Sequence, residues 1–188
     1  QVRVVDSGFV YRNPKPYLRS VVAYHPSVVH LGGQDLLATF DLGQAVESLD
    51  YHTVASRSLD GGRSWRLESP LISQPPSQTT HTIRVRRLRG GSLVGIGAFF
   101  HRDNPEEGLV NRETSGFVPV ELFRISSPDG GRSWSQPDKI TTPLCSTAWE
   151  FCHPVVELPN GRWLVPVATW RSWDGSNSAG EQTVAFIS

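Results

Sequence analysis

The apolar positions of this chain fall in short runs rich in β-branched and aromatic residues, each bounded by Gly, Pro or Asn. That is the pattern of strands and tight turns, and no stretch sustains a helical period. The runs sort into three groups. In the first, a strand over 25–31 turns at Gly32-Gly33 into a second over 35–40, and a third covers 51–57. In the second, a strand over 81–88 turns at Arg89-Gly90-Gly91 into 92–100, and 118–126 follows. In the third, 153–158 turns at Pro159-Asn160-Gly161 into 162–169, and 182–188 follows. The heads His25-Pro26-Ser27-Val28-Val29 and His153-Pro154-Val155-Val156 echo each other. An all-β chain built from one repeated unit is the expectation.

An octapeptide supports it. Ser58-Leu59-Asp60-Gly61-Gly62-Arg63-Ser64-Trp65 returns at 127–134 with only its second position changed, 69 residues on. The Gly pairs tolerate positive φ, as a tight hairpin requires. Asp60 and Asp129 can accept from backbone N–H groups two residues on and lock the turn. Trp65 and Trp134 offer large apolar faces to pack under it. Ser58, Asp60, Gly62, Trp65, Ser127, Asp129, Gly131 and Trp134 are therefore expected to staple the fold, not to catalyse. Residues 53–58 match 183–188 at four of six positions, so Ser188 is expected to open a third copy inside which the chain stops.

Composition narrows the function classes. With 188 residues and 38% hydrophobic content the chain can bury a core. Its formal net charge of zero gives no broad electrostatic case for nucleic acid. No apolar run approaches the ~18 residues of a membrane span. Only Lys15 and Lys139 of the 18 basic residues are lysines, and the planar fork of Arg suits carboxylate recognition. Cys145 and Cys152 lack metal-ligand spacing, and two buried free thiols are expected over a disulfide. No His pair has zinc spacing, and neither metal nor cofactor is expected.

Hairpin geometry then sorts the polar residues. If the first turns of each group and the octapeptide turns share one end, the remaining loops and the heads of the first strands share the other. That second end gathers Arg19, Tyr24, His25, Asp41, Glu47, Asp50 and His52 from the first group. The second adds His81, Arg84, His101, Arg102 and Asp103, and the third adds Trp149, Glu150, His153, Trp170, Arg171, Trp173 and Asp174. Carboxylates facing one another among Arg, His and Trp suit sugar chemistry: rings stack on pyranose faces, and paired acids serve the oxocarbenium-like transition state. The loop from His101 to Phe117 is either a substrate cover or a solvated excursion. Of the cluster Arg84, Arg86, Arg87 and Arg89, the last three are expected to pair with carboxylates on the surface, and Arg84 could face the site.

The octapeptide resembles the Asp-box, S-x-D-x-G-x-x-W, of sialidases and related β-propellers. With the 36–40 strand and the echoes in the later groups, the resemblance spans about residues 20–188. It implies a six-bladed β-propeller of sialidase type, of which residues 1–188 form roughly half. Blade 1 would cover about 20–70, blade 2 about 79–140 and a truncated blade 3 about 150–188, with the missing blades of the same parent chain as partners. The activity it implies is a glycoside hydrolase acting on a terminal sugar, acidic ones included, with a carbohydrate as substrate. Tyr24 stands where the family places its carboxylate-binding Arg, so Arg19, Arg84 or Arg171 would bind an anionic group. Asp50 resembles the acid/base Asp of the first blade, with Glu47 its rival. Glu150 resembles the Glu that supports the nucleophile, and Asp174 is a further competing carboxylate. Tyr24, His25, His81, His101, His153, Trp170 and Trp173 complete the expected substrate contacts. Two other classes stay open: a non-catalytic propeller that binds glycans or proteins, and a polysaccharide lyase using a proton-abstracting His or Tyr.

Overall fold

The computed structural model describes residues 2–188. Twelve strands form three four-stranded antiparallel sheets, taken one after another along the chain. The first is β1 (Val22–Gly32), β2 (Asp35–Gly43), β3 (His52–Ser58) and β4 (Arg66–Pro70), side by side in that order. The second repeats it with β5 (Thr79–Arg87), β6 (Leu93–His101), β7 (Val120–Ser127) and β8 (Asp138–Lys139). In the third, β9 (Ala148–Glu150) and β10 (Val156–Glu157) share one edge of β11 (Trp163–Trp170), and β12 (Thr183–Ile187) lies on the other. Among the described residues no helix forms, so none is long and apolar enough to cross a membrane.

The third sheet corrects one expectation. The strand expected over 153–158 is broken: residues 151–155 make no ladder, and the edge resumes only at Val156. Pro154 has no N–H to give the ladder, while Phe151 and Val155 sink into the core. The first sheet shows the same irregularity at the matching place. The β1–β2 register shifts between Tyr24 and Ser27, around Pro26, and His25 has φ of 51°. Both His-Pro heads thus mark a kinked edge strand, and a kink re-aims a side chain.

The core lies between successive sheets. Leu37 and Ala55 of the first sheet meet Ile83, Val85 and Leu93 of the second, with Phe99 stacked on Phe123 at 4.1 Å. On the other face of the second sheet, Val94, Ile96 and Ala98 meet Trp149, Val155, Val165 and Val167. Strand parity produces this: successive β6 residues face opposite neighbours. Gly97 lies across β6–β7 from Phe123, where a Cβ would come within 2.3 Å of the ring. A third cluster, Phe40, Leu42 and Val54, is covered by Val10, Tyr11 and Val21.

The octapeptide turns close the same end of the first two sheets. Ser58 pairs with Leu36 beside the β1–β2 turn, and Ser127 pairs with Leu93 beside the β5–β6 turn. In the first copy Gly62 N donates to Ser58 Oγ at 2.8 Å, and Ser64 donates to Asp60 from its backbone (2.9 Å) and its hydroxyl (2.6 Å). Trp65 Nε1 donates to Gly62 O. The second copy repeats the first three bonds at Ser127, Gly131, Asp129 and Ser133. Both Gly pairs have positive φ. The bonds from Ser64 hold the Asp60 carboxyl at about 2, and those from Ser133 hold Asp129 lower still. Cys145 and Cys152 are both free, and both are exposed, which corrects the expectation of buried thiols. Each sits in or beside irregular backbone, outside the packed faces.

Candidate functional site

The opposite end of the sheets is organised around one carboxylate. Leu37, Thr39 and Asp41 alternate along β2 and face the second sheet. Asp41 takes the last of these positions and is fully buried. Its Oδ1 accepts from Thr53 Oγ1 (2.5 Å), its direct partner across the β2–β3 ladder. Its Oδ2 accepts from Tyr51 Oη (3.0 Å), Thr82 Oγ1 (2.7 Å) and Arg84 Nη1 (3.3 Å), and His25 Nδ1 lies 3.1 Å from it. Four donors and the His25 ring, from three chain segments, meet one carboxylate, which satisfies a buried charge and joins β5 of the second sheet to the first. Burial, then the Asp41 charge, push the Tyr51 phenol well above its ordinary range, so it stays a donor.

From the register, Leu42↔His52 at this end lies six pairs from Leu36↔Ser58 at the turn end. At ~3.4 Å per residue the two ends are about 20 Å apart.

Beside Asp41 a cavity of about 600 Å³ opens where the three sheets converge. The first sheet and its loop supply His25, Glu47 and Tyr51; the second supplies Thr82, Arg84 and Phe100; the third supplies Trp149, Glu150, Cys152, His153 and Trp170. Arg84 uses only Nη1 for protein acceptors, Asp41 and its neighbour's carbonyl. Its remaining N–H groups donate to no described residue, which leaves part of the fork for an anion in the cavity. Partial desolvation at the cavity wall, then Glu150, push the exposed Cys152 thiol up, so it is no ready nucleophile.

The loop after β6 walls the cavity with Leu109, Val110 and Phe117. It is pinned on both sides. Arg102 donates to the carbonyls of Glu47 (2.9 Å) and Glu107 (2.8 Å), and Leu109 N donates to Glu47 Oε2 (2.9 Å). Asn111 Nδ2 and Thr114 Oγ1 donate to Trp173 O, and Trp170 Nε1 donates to Ser115 O. Phe117 N donates to Arg171 O, and Gly116 lies against the Ser172 carbonyl so closely that a Cβ would reach 1.9 Å from it. The loop is docked against the first and third sheets rather than a free solvated excursion.

The cavity brings together Glu47, Glu150, His25, Arg84, Trp149, His153 and Trp170 from the candidates named above. The others lie elsewhere. Asp50 Oδ1 accepts from Gln44 N in the loop after β2; burial pushes its carboxyl up, but bonds from Ser48 and Gln44 outweigh this and hold it below its ordinary value. Asp174 caps a turn through Ser176 N, and bonds from Ser176 lower its carboxyl. Arg171 pairs with Glu181 at 2.5 Å beside a separate depression. Trp173 offers the loop its carbonyl, Arg19 is exposed, and Tyr24 lines a hollow with Phe9, Val10 and Tyr11. His101 lines another with Glu121 and Lys139. His81 is buried against Phe99 with both ring nitrogens unpartnered among the described residues. Burial, then His52, lower it to about 4, so it is neutral at pH 7.

The sequence pattern places Asp41 at this end without a role and does not single out Tyr51, Thr53 or Thr82. One signal was present: in the alternation Leu37, Thr39, Asp41, the carboxylate falls on the inward parity. Among the described residues no group of three or more His, Cys, Asp or Glu could hold a metal ion.

No family model matches the chain, and no curated protein matches it. Solved structures do match its fold. A protein of unknown function from Dyadobacter fermentans has a TM-score of 0.69 at 20% identity, covering 98% of this chain and 54% of that one. A Hadza microbial sialidase scores 0.61 at 19% identity over 88% of this chain and 34% of its own. Trypanosoma rangeli sialidase in complex with sialic acid scores 0.56 at 17% identity, over 88% of this chain and 30% of its own. The chain thus spans about a third to a half of the structures it matches. The likeness is one of fold: the three sheets are arranged as in part of a sialidase-type propeller.

Proposed function

We propose that the cavity is the sugar site of a glycoside hydrolase acting on a terminal sugar, with an acidic sugar favoured by Arg84. The observation that carries this reading is the convergence of Glu47, Glu150, Arg84 and Trp170 from three separate sheets on one cavity, at the end away from the octapeptide turns. A pocket of this size suits one or two sugar rings. Trp170, Phe117 and the loop wall offer apolar surface to a ring face. The free side of the Arg84 fork suits a carboxylate. Glu47 and Glu150 bring carboxyl groups to the cavity, one of them to protonate the leaving oxygen. Glu47 Oε2 is held by Leu109 N at 2.9 Å, whereas Glu150 Oε1 takes only the Cys152 thiol at 3.8 Å, so Glu150 is the freer of the two to reach a leaving oxygen. The octapeptides serve as Asp-box staples.

A second reading, a polysaccharide lyase, is favoured by one observation: His25 and Arg84 share the cavity and are both tied to Asp41. A base beside a carboxylate-binding Arg is what abstraction next to a uronate carboxyl requires.

The test is turnover by the full-length protein of a panel of aryl glycosides, sialosides included, beside Glu150→Gln and Asp50→Asn. Release of the sugar, near-loss in Glu150→Gln and retention in Asp50→Asn are expected. An unsaturated product absorbing in the ultraviolet would support the lyase. Binding of a sugar without turnover, unchanged in Glu150→Gln, would mark a non-catalytic propeller.

A further inference from the structure

His25 is the one cavity residue whose backbone sits in the left-handed region, at φ 51°. A non-glycine residue there is strained and persists only where surroundings hold it. The surroundings are explicit. The Pro26 kink turns the residue out of the ladder, and Nδ1 is held at 3.1 Å from Asp41 Oδ2 and 2.7 Å from Tyr51 Oη. Tyr51 donates its own proton to Asp41 at 3.0 Å. Both oxygens facing Nδ1 are therefore acceptors towards it, and Nδ1 must carry the hydrogen. That assigns the tautomer. In the neutral ring Nε2 keeps its lone pair, and it donates to and accepts from no described residue. The ring is half exposed (51%) while its anchor Asp41 is fully buried, so Nε2 is on the cavity side.

We propose that His25 is a proton-transfer residue of this cavity, with Asp41 and Tyr51 as the positioning residues that fix its tautomer. This rests on the hydrolase reading above. In hydrolysis the Nε2 lone pair takes one proton from water as the water oxygen bonds the anomeric carbon. The glycosidic C–O bond breaks towards its oxygen, which takes a proton from the Glu150 carboxylic acid. Imidazolium and carboxylate then exchange that proton through solvent, restoring both groups. The charged and titratable groups facing His25 are Asp41 from β2, Tyr51 before β3, Arg84 from β5, Tyr24 beside it on β1, Glu47 from the first loop, and Glu150, Cys152 and His153 from the third sheet. Asp41 touches the ring itself, and the imidazolium gains from it directly, so a donor-rich carboxylate stabilises the state formed in the transfer.

The experiment pairs kinetics with nitrogen NMR on the full-length protein. His25→Asn suits both, because Asn is among the few side chains that tolerate the left-handed region. Nitrogen shifts of histidine-labelled protein, with His25→Asn assigning the signal, are expected to show Nδ1 protonated and Nε2 bare. Tyr51→Phe should mix the tautomers. On the sugar the protein cleaves, His25→Asn should lower kcat about 10²–10⁴-fold with KM little changed. It should also remove the acid-side limb of the kcat/KM profile. An Nε2-protonated ring, or a His25→Asn variant with unaltered kcat, would overturn the proposal. If the protein turns over no sugar while the Nδ1-protonated ring is observed, the hydrolase reading and the proton-transfer role fall together, and only the tautomer set by Asp41 and Tyr51 stands.

Discussion

Both ends of the sheets are built around aspartate, and in opposite ways. Asp60 and Asp129 are on the surface and take donors from within four residues. Asp41 is fully buried and takes donors 10 to 43 residues away, from both the first and the second sheet. The first arrangement closes on itself and can be repeated in any sheet without regard to its neighbours. The second exists only when two sheets are docked. A local network makes a turn; a long-range network makes a joint, and the joint is where the cavity opens.

The joint should be the costlier end to disturb. Asp41→Ala would leave Arg84 buried without its carboxylate and strand four neutral or titratable donors. A loss of about 3–5 kcal/mol in urea unfolding is expected, on the scale of a broken buried ion pair. A loss no larger than that of Asp129→Asn would erase the contrast between the ends. The docked loop comes next. Gly116→Ala would force a methyl against the Ser172 carbonyl and lift the loop from the third sheet. About 1–3 kcal/mol of destabilisation is expected, with a change in Trp170 fluorescence as its bond to Ser115 is lost.

Two smaller effects are read from pH. His81 is at about 4 in the fold, below the ~6.5 of an unfolded histidine, so the unfolded chain binds the extra proton. Its contribution is intact above ~6.5 and is lost as pH falls towards about 4; His81→Leu should flatten that part of the stability curve. Asp60 is held at about 2, below the ~3.9 of an unfolded aspartate. The stability it lends is present above ~3.9 and is lost as pH falls towards about 2. Asp60→Asn should therefore be less stable than the wild type at neutral pH, with the difference closing in that acid window.

The same contrast explains what could be read in the sequence. The octapeptide turns were legible because each donor lies within a few residues of its acceptor, so spacing alone implies the bond. Hairpin counting also brought Arg84, His25, Glu47 and Glu150 to one end, because strand parity and turn position carry that far. The role of Asp41 was not legible, since Thr82 and Arg84 reach it only across a joint between sheets. The break at 151–155 was hidden for a related reason: Pro154 marks a kink, but only packing shows Phe151 and Val155 turning into the core while Glu150 ends a separate strand. Asp50, Asp174 and Arg171 share the end with the cavity, yet local bonds to Gln44, Ser176 and Glu181 claim them.

The most direct test sets the two ends against each other in one assay. Turnover of the cleaved glycoside is measured for Glu150→Gln and Asp129→Asn in the full-length protein, at a temperature where both are folded. Near-loss in Glu150→Gln with turnover kept in Asp129→Asn is the predicted result. Turnover kept in Glu150→Gln, or lost in Asp129→Asn while it remains folded, would contradict the placement of the sugar site in the cavity.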